Sequence, residues 1–246
     1  MRVSKLHRLL PFFFFLLSAC AAAATGPKFA WRVRDMVSTP ASAVNLHGPN
    51  RESVAILSTR SIKNVFLAHS SITKAAGIDG ELLIVDGEVP NALVGLSNQR
   101  PLFAVTVGMM KLIGDDIDEF AALIGHETAH LTQGHMKAAA SRRATLKGIA
   151  TLIGVGLGIA GVPAGGVVAD LGANLIDASY SRSQEREADE VGLGYMINNN
   201  FDPQGAIRLH EKLLKSSGGA SLPFLSSHPS GEERIENLKA IIKSKQ

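Results

Sequence analysis

The sequence predicts an α+β fold, mostly helical, with a small β-sheet ahead of one helix that concentrates unusual residues. Three observations support this. Two short aliphatic runs, 81–85 and 102–107, are bracketed by turn formers such as Asp79-Gly80 and Asp86-Gly87. Stretches on either side of them place apolar residues at helical spacing. Between these regions, Gly114-Asp115-Asp116 offers a cap and acids at the positive end of a helix dipole, opening a helix that holds two histidines four positions apart.

The chain starts with a basic segment (Arg2, Lys5, Arg8), an apolar core from Leu9 to Leu17 and then Ser18-Ala19-Cys20. That core is too short to span a bilayer, and small residues follow it, so residues 1–19 read as a secretory signal. Cys20 is the only cysteine, and a lone cysteine forms no intrachain disulfide. Its setting resembles the bacterial lipoprotein signal, which implies lipidation at Cys20 and attachment to a membrane. Ala21 rather than Asp follows the cysteine; the same resemblance implies the outer membrane, facing the periplasm, with the inner membrane as the alternative. Removing 1–19 takes away three basic residues and no acidic ones, so the formal charge falls from +3 to 0. A neutral chain without a basic patch has no electrostatic reason to bind nucleic acid.

Residues 20–50 carry little periodicity and many chain breakers, and they are expected to form a tether. From Glu52 to about Gly77 a helix is expected, with Val54, Leu57, Ile62, Phe66, Leu67 and Ile72 on its apolar stripe. The two β runs follow, separated by turns at 89–92 and 98–101. Next comes the capped helix, with Phe120, Leu123, Ile124 and Leu131 on its buried face. After Asn200, two amphipathic helices are expected, at about 203–216 and 231–242.

The capped helix contains His126-Glu127-Thr128-Ala129-His130. Histidines at i and i+4 share a helix face, where both imidazoles can reach one cation. Glu127 stands beside that face, placed to take a proton from a water. His135 would lie about 140° off the face on a continued helix, so a structural or capping role is expected for it. A catalytic zinc needs a third protein ligand, and a carboxylate is a common choice. The segment Ser181-Arg182-Ser183-Gln184-Glu185-Arg186-Glu187-Ala188-Asp189 offers several. Glu185 and Asp189 share a helical face and Glu187 points elsewhere, but spacing alone leaves Glu185, Glu187 and Glu190 open.

HExxH, a Gly/Ala-rich interval, Ser-Arg-x-x-Glu-x-Glu-Ala-Asp and a late Ser-His-Pro before Glu-Arg-Ile occur in this order. This pattern resembles the HtpX-type zinc metallopeptidases, which include the CAAX prenyl endoproteases and periplasmic lipoproteins. The likeness runs from about residue 75 to the end. It implies a gluzincin-type zincin domain within 51–246, with one zinc held by His126, His130 and Glu185. It further implies Glu127 as general base, Asp189 behind a ligand histidine, and a role for His228 as regulatory ligand or oxyanion donor. Asn91-Ala92 matches the family's motif at the strand edge that lines the substrate cleft, although Leu93-Val94-Gly95 departs from the usual continuation. The implied activity is endoproteolysis of misassembled envelope proteins, taken as extended peptide segments along a sheet edge; a non-proteolytic assembly factor or chaperone that keeps the zinc site is the alternative. The 22 uncharged residues from 148 to 169, broken by Pro163, are expected to form a lid over the cleft rather than a membrane span.

Overall fold

The computed structural model describes residues 29–48, 50–97, 99–138, 180–217, 222–228 and 231–245. Strand β1 (Ala30–Arg32) leads through a 3-10 turn (Val33–Asp35) to β2 (Ala43–His47) and β3 (Ser53–Ser58). Helix α1 (Thr59–Ala75) follows, then β4 (Glu81–Val85), β5 (Ala92–Ser97) and β6 (Arg100–Thr106). The rest of the described chain is helical: α2 (Val107–Ile113), α3 (Ile117–Thr132), α4 (Arg182–Asn198), α5 (Gln204–Ser217), α6 (Pro223–Ser227) and α7 (Glu232–Ser244).

Strands β1, β4, β6 and β5 form one sheet in that order. The β4–β6 pair is parallel and the outer pairs are antiparallel. Side-chain alternation splits the sheet into two faces. Leu82, Ile84, Phe103 and Val105 join the main core, while Leu83, Val85, Leu102 and Ala104 form a small cluster of their own. Helix α3 lies at the centre of the main core, packed against α1, α4 and α5 and against β5. Asp116 Oδ1 caps α3 by accepting from the backbone N–H groups of Asp118 and Glu119. Helix α4 opens with a reciprocal capping box between Ser181 and Gln184.

The sheet, the capped α3 and the last two long helices agree with the sequence reading. Three local expectations change. The helix expected from Glu52 begins at Thr59, because 53–58 form a strand paired with β2. There Ala55 and Leu57 are buried and Ile56 is exposed, a period of two. Ser58 then ends the strand and caps α1 with its hydroxyl. Second, the tether expected over 20–50 is already part of the fold from residue 30. β1 pairs with β4, Val33 is fully buried, and Trp31 Nε1 donates to the His47 carbonyl. These partners are distant in sequence, so local periodicity does not reveal them. Third, β5 occupies 92–97, where only turns were expected on either side, and its register comes from the hairpin with β6. No helix among the described residues is long and apolar enough to cross a membrane.

Candidate active site

The site is assembled where α3 and α4 cross. A Cβ on Gly192 would lie 3.0 Å from the Gly125 carbonyl carbon and from the His126 nitrogen. Two glycines therefore let the backbones touch, and this close approach brings the Glu185–Asp189 face of α4 onto the His126–His130 face of α3.

The chemistry converges on one buried point. His126 Nε2 and His130 Nε2 are 3.0 Å apart. Glu185 spans both, with Oε2 3.4 Å from His126 Nε2 and Oε1 3.3 Å from His130 Nε2. His228 Nδ1 joins them, 3.1 Å from His126 Nε2 and 3.2 Å from Glu185 Oε1. All four side chains are buried, and their donor atoms lie within 4.8 Å of one another. Behind this point the Nδ1 atoms already have partners, Asp189 Oδ1 for His126 at 3.1 Å and His135 Nδ1 for His130 at 3.0 Å. If each Nδ1 donates backwards, the Nε2 lone pairs face one another, and a cation is what such an arrangement accommodates. Two imidazoles and a carboxylate are a donor set suited to zinc.

Arg234, on α7, completes the wall. Its Nη1 donates to Glu185 Oε2 at 2.6 Å and its Nε to Asp189 Oδ2 at 2.8 Å. Burial alone would raise the Glu185 pKa. The charge of His126 and hydrogen bonds from His126, His130 and His228 outweigh it and hold this carboxyl far below the usual range. Burial likewise works against Asp189 ionisation, but Arg234 and His126 keep it well below the usual value. For His126, burial opposes the charged form, yet Glu185 and Asp189 together raise its pKa to about 9. His130, with burial dominant, is pushed down to about 3.

Glu127 is also buried, and its Oε1 makes no hydrogen bond, although His228 Nε2 lies 3.4 Å away. The His228 ring is stacked on Phe224 of α6, and Tyr180 stacks on His130 with centroids 3.8 Å apart. The Tyr180 backbone N–H donates to the Ser227 carbonyl, which ties the His228 loop to the start of α4.

The sequence-expected ligand and catalytic residues His126, Glu127, His130, Glu185, Asp189 and His228 come together here, while Asn91 precedes β5 and Ala92 opens it. Glu187 and Glu190 stay out of the cluster. His135 also stays out of it, but not by lying about 140° round a continued helix. Helix α3 ends at Thr132, and Gly134 takes a left-handed φ of 70°, which folds His135 back behind His130. Tyr180 has no counterpart in the sequence reading, and Arg234 enters it only within the Glu-Arg-Ile stretch, without a role. The signal for Arg234 was present, because a lone cation sits on the stripe of Ile235, Leu238 and Ile242 that α7 buries. Cys20 and the expected lid at 148–169 lie outside the described residues.

The chain is similar to several metallopeptidases. The chain is 27% identical over 169 residues to metalloprotease LoiP of Escherichia coli K12, covering 63% of this chain and 64% of that protein. It is 29% identical over 171 residues to the mitochondrial metalloendopeptidase OMA1 of Arabidopsis thaliana, covering 70% of this chain and 33% of OMA1. It is 30% identical over 135 residues to the beta-barrel assembly-enhancing protease of Escherichia coli K12, covering 51% of this chain and 27% of that protein. The chain thus spans less than two thirds of the length of each of these relatives. Residues 57–242, which contain every element from the end of β3 to the body of α7, match the profile of peptidase family M48, and the chain belongs to that family.

Proposed function

We propose that this chain is a zinc-dependent endopeptidase of the bacterial envelope, with His126, His130 and Glu185 as zinc ligands and Glu127 as general base. Zinc bound there supplies Lewis acidity, making a water easier to deprotonate near neutral pH and polarising the scissile carbonyl. Glu127 takes the water's proton and passes it to the departing amine, so the base ends the cycle as it began. Asp189 and Arg234 hold His126 and Glu185 in place, so the ligands do not reorganise during the reaction. The substrate is a peptide segment lying in extended form along the outer edge of β5, the last strand of the sheet among the described residues. That strand closes the sheet beside α3, and main-chain hydrogen bonds bind without strict sequence demands. One observation carries the reading: in a chain of family M48, a buried cluster of three imidazoles and a carboxylate stands beside a Glu127 oxygen without a hydrogen bond.

His228 acts in this reading as an off-switch. A catalytic zinc keeps one position open, and an imidazole nitrogen 3.1 Å from His126 Nε2 is close enough to occupy it. The same contact favours a second reading, an assembly factor with a closed, non-proteolytic zinc site. His228→Ala separates the two. The switch predicts faster cleavage with zinc retained, and the closed site predicts none; a fall of about 10²–10³-fold would assign His228 to the oxyanion instead.

The envelope setting rests on the signal-like start and on relatives named metalloprotease LoiP and beta-barrel assembly-enhancing protease. Misassembled envelope proteins are the proposed substrates, with the chain held by lipid on Cys20 at the outer membrane. The test uses purified protein with casein and with an unfolded outer-membrane barrel protein. Cleavage should stop with 1,10-phenanthroline and return on adding zinc. Cleavage insensitive to the chelator would refute the mechanism.

A further inference from the structure

His130 differs from His126 in what stands behind it. His126 Nδ1 meets a carboxylate directly, Asp189 Oδ1 at 3.1 Å. His130 Nδ1 meets a second imidazole, His135 Nδ1 at 3.0 Å, and His135 Nε2 lies 3.1 Å from Glu187 Oε2. His135 is buried, whereas the Glu187 carboxylate is half exposed. We infer that His135 and Glu187 form a hydrogen-bonded relay that sets the tautomer and ring orientation of His130, as Asp189 does for His126.

This inference rests on the zinc reading above. With His130 Nε2 committed to the metal, its neutral ring carries the proton on Nδ1 and donates to His135. His135 Nδ1 must then accept, so its proton sits on Nε2 and points at Glu187. One assignment of protons satisfies every contact in the chain. Tyr180, stacked on the His130 ring, limits rotation out of that line. The sequence origin is compact. Gly134 turns the chain so that His135 reaches back to His130, and Glu187 leaves α4 between Glu185 and Asp189 on the side that meets it. Helix α4 thus supplies Glu185 to the metal cluster, Asp189 to His126 and Glu187 to His135. Both His135 and Glu187 are positioning residues, since neither reaches the metal cluster.

The test begins with zinc affinity of the full chain, measured by competition with a chromophoric chelator. If wild type binds no zinc, the functional reading and the relay fall together. Given wild-type binding, His135→Phe should weaken zinc affinity by about 10–100-fold. His135→Gln, whose amide can accept from His130 and donate to Glu187, should recover most of the loss. Glu187→Ala should cost a few-fold, and its effect should vanish in the His135→Phe background, because the relay is then already cut. Nitrogen NMR of the zinc form should show His130 protonated at Nδ1 in wild type, with that proton shift moved in His135→Gln. Should His135→Phe misfold, Glu187→Ala and Glu187→Gln decide the matter, since Gln still accepts from His135 and should behave like wild type. Additive losses for His135 and Glu187, or unchanged zinc affinity in both variants while wild type binds and cleaves, would overturn the relay and leave the protease reading standing.

Discussion

Arg234 neutralises two buried carboxylates at once. It bridges Glu185 and Asp189 and is 5% exposed. Removing one member of a buried ionic group leaves the others uncompensated, at a cost of roughly 3–5 kcal/mol. Arg234→Met should therefore lower the melting temperature sharply and weaken zinc binding, and Arg234→Lys, a point charge without the planar fork, should recover only part of either. Calorimetry and chelator competition read the two effects. Glu185→Ala should reduce zinc affinity far more than Glu187→Ala, because Glu185 touches both histidines whereas Glu187 reaches His130 only through His135. Equal losses would reassign the third ligand. At this scale His126, Glu127 and His130 were legible, since rare residue types at helical spacing leave few other uses. The choice of Glu185 needed a resemblance, because its neighbours Glu187 and Glu190 have the same chemistry and only the α3–α4 crossing separates them. The partners of His135 were hidden behind a helix end that spacing arguments carried through.

Between elements, the crossing of α3 and α4 fixes the site. Gly192→Ala would place a methyl group 3.0 Å from α3 backbone atoms, so the helices must separate. Overpacking of this kind costs about 1–3 kcal/mol, and here it also draws Glu185 away from the histidines. Gly194→Ala on the same helix meets nothing within 4 Å and should stabilise by roughly 0.5–1 kcal/mol. A melting curve with zinc titration for each variant checks both; a Gly192→Ala protein with normal zinc affinity would show that the close crossing is not what positions Glu185. Helix α1 contributes a pH dependence. Burial against Phe103 lowers the His69 pKa from 6.5 to about 4. The unfolded chain then binds this proton more readily than the folded one, so stability is full above about pH 6.5 and falls as the pH drops towards 4. The loss is about 3 kcal/mol from this residue, and denaturant midpoints for wild type and His69→Leu should converge in slope above that window and diverge within it. Elements held by local signals, such as the capped α3 and the amphipathic α5 and α7, were readable. Strands β1 and β3 were not, because their identity comes from pairing with distant strands.

At the scale of the whole molecule, the proposal gives the leader and the folded domain separate roles. Without residues 1–19 the chain is formally neutral, and the proposed attachment through lipid on Cys20 is open to a direct test. Cys20→Ser should move the protein from the membrane fraction to a soluble or unprocessed form. Tight membrane binding in that variant would instead point to the apolar stretch at 148–169. Glu127 is, in the proposed mechanism, a base and not a ligand. Glu127→Gln keeps the size of a side chain that lies beside the cluster rather than in it. The most direct measurement is zinc stoichiometry and casein cleavage on wild type and Glu127→Gln, purified side by side. One zinc per chain in both, with cleavage in the variant reduced by several orders of magnitude, is the expected result; near-wild-type cleavage by a zinc-loaded Glu127→Gln protein would contradict it.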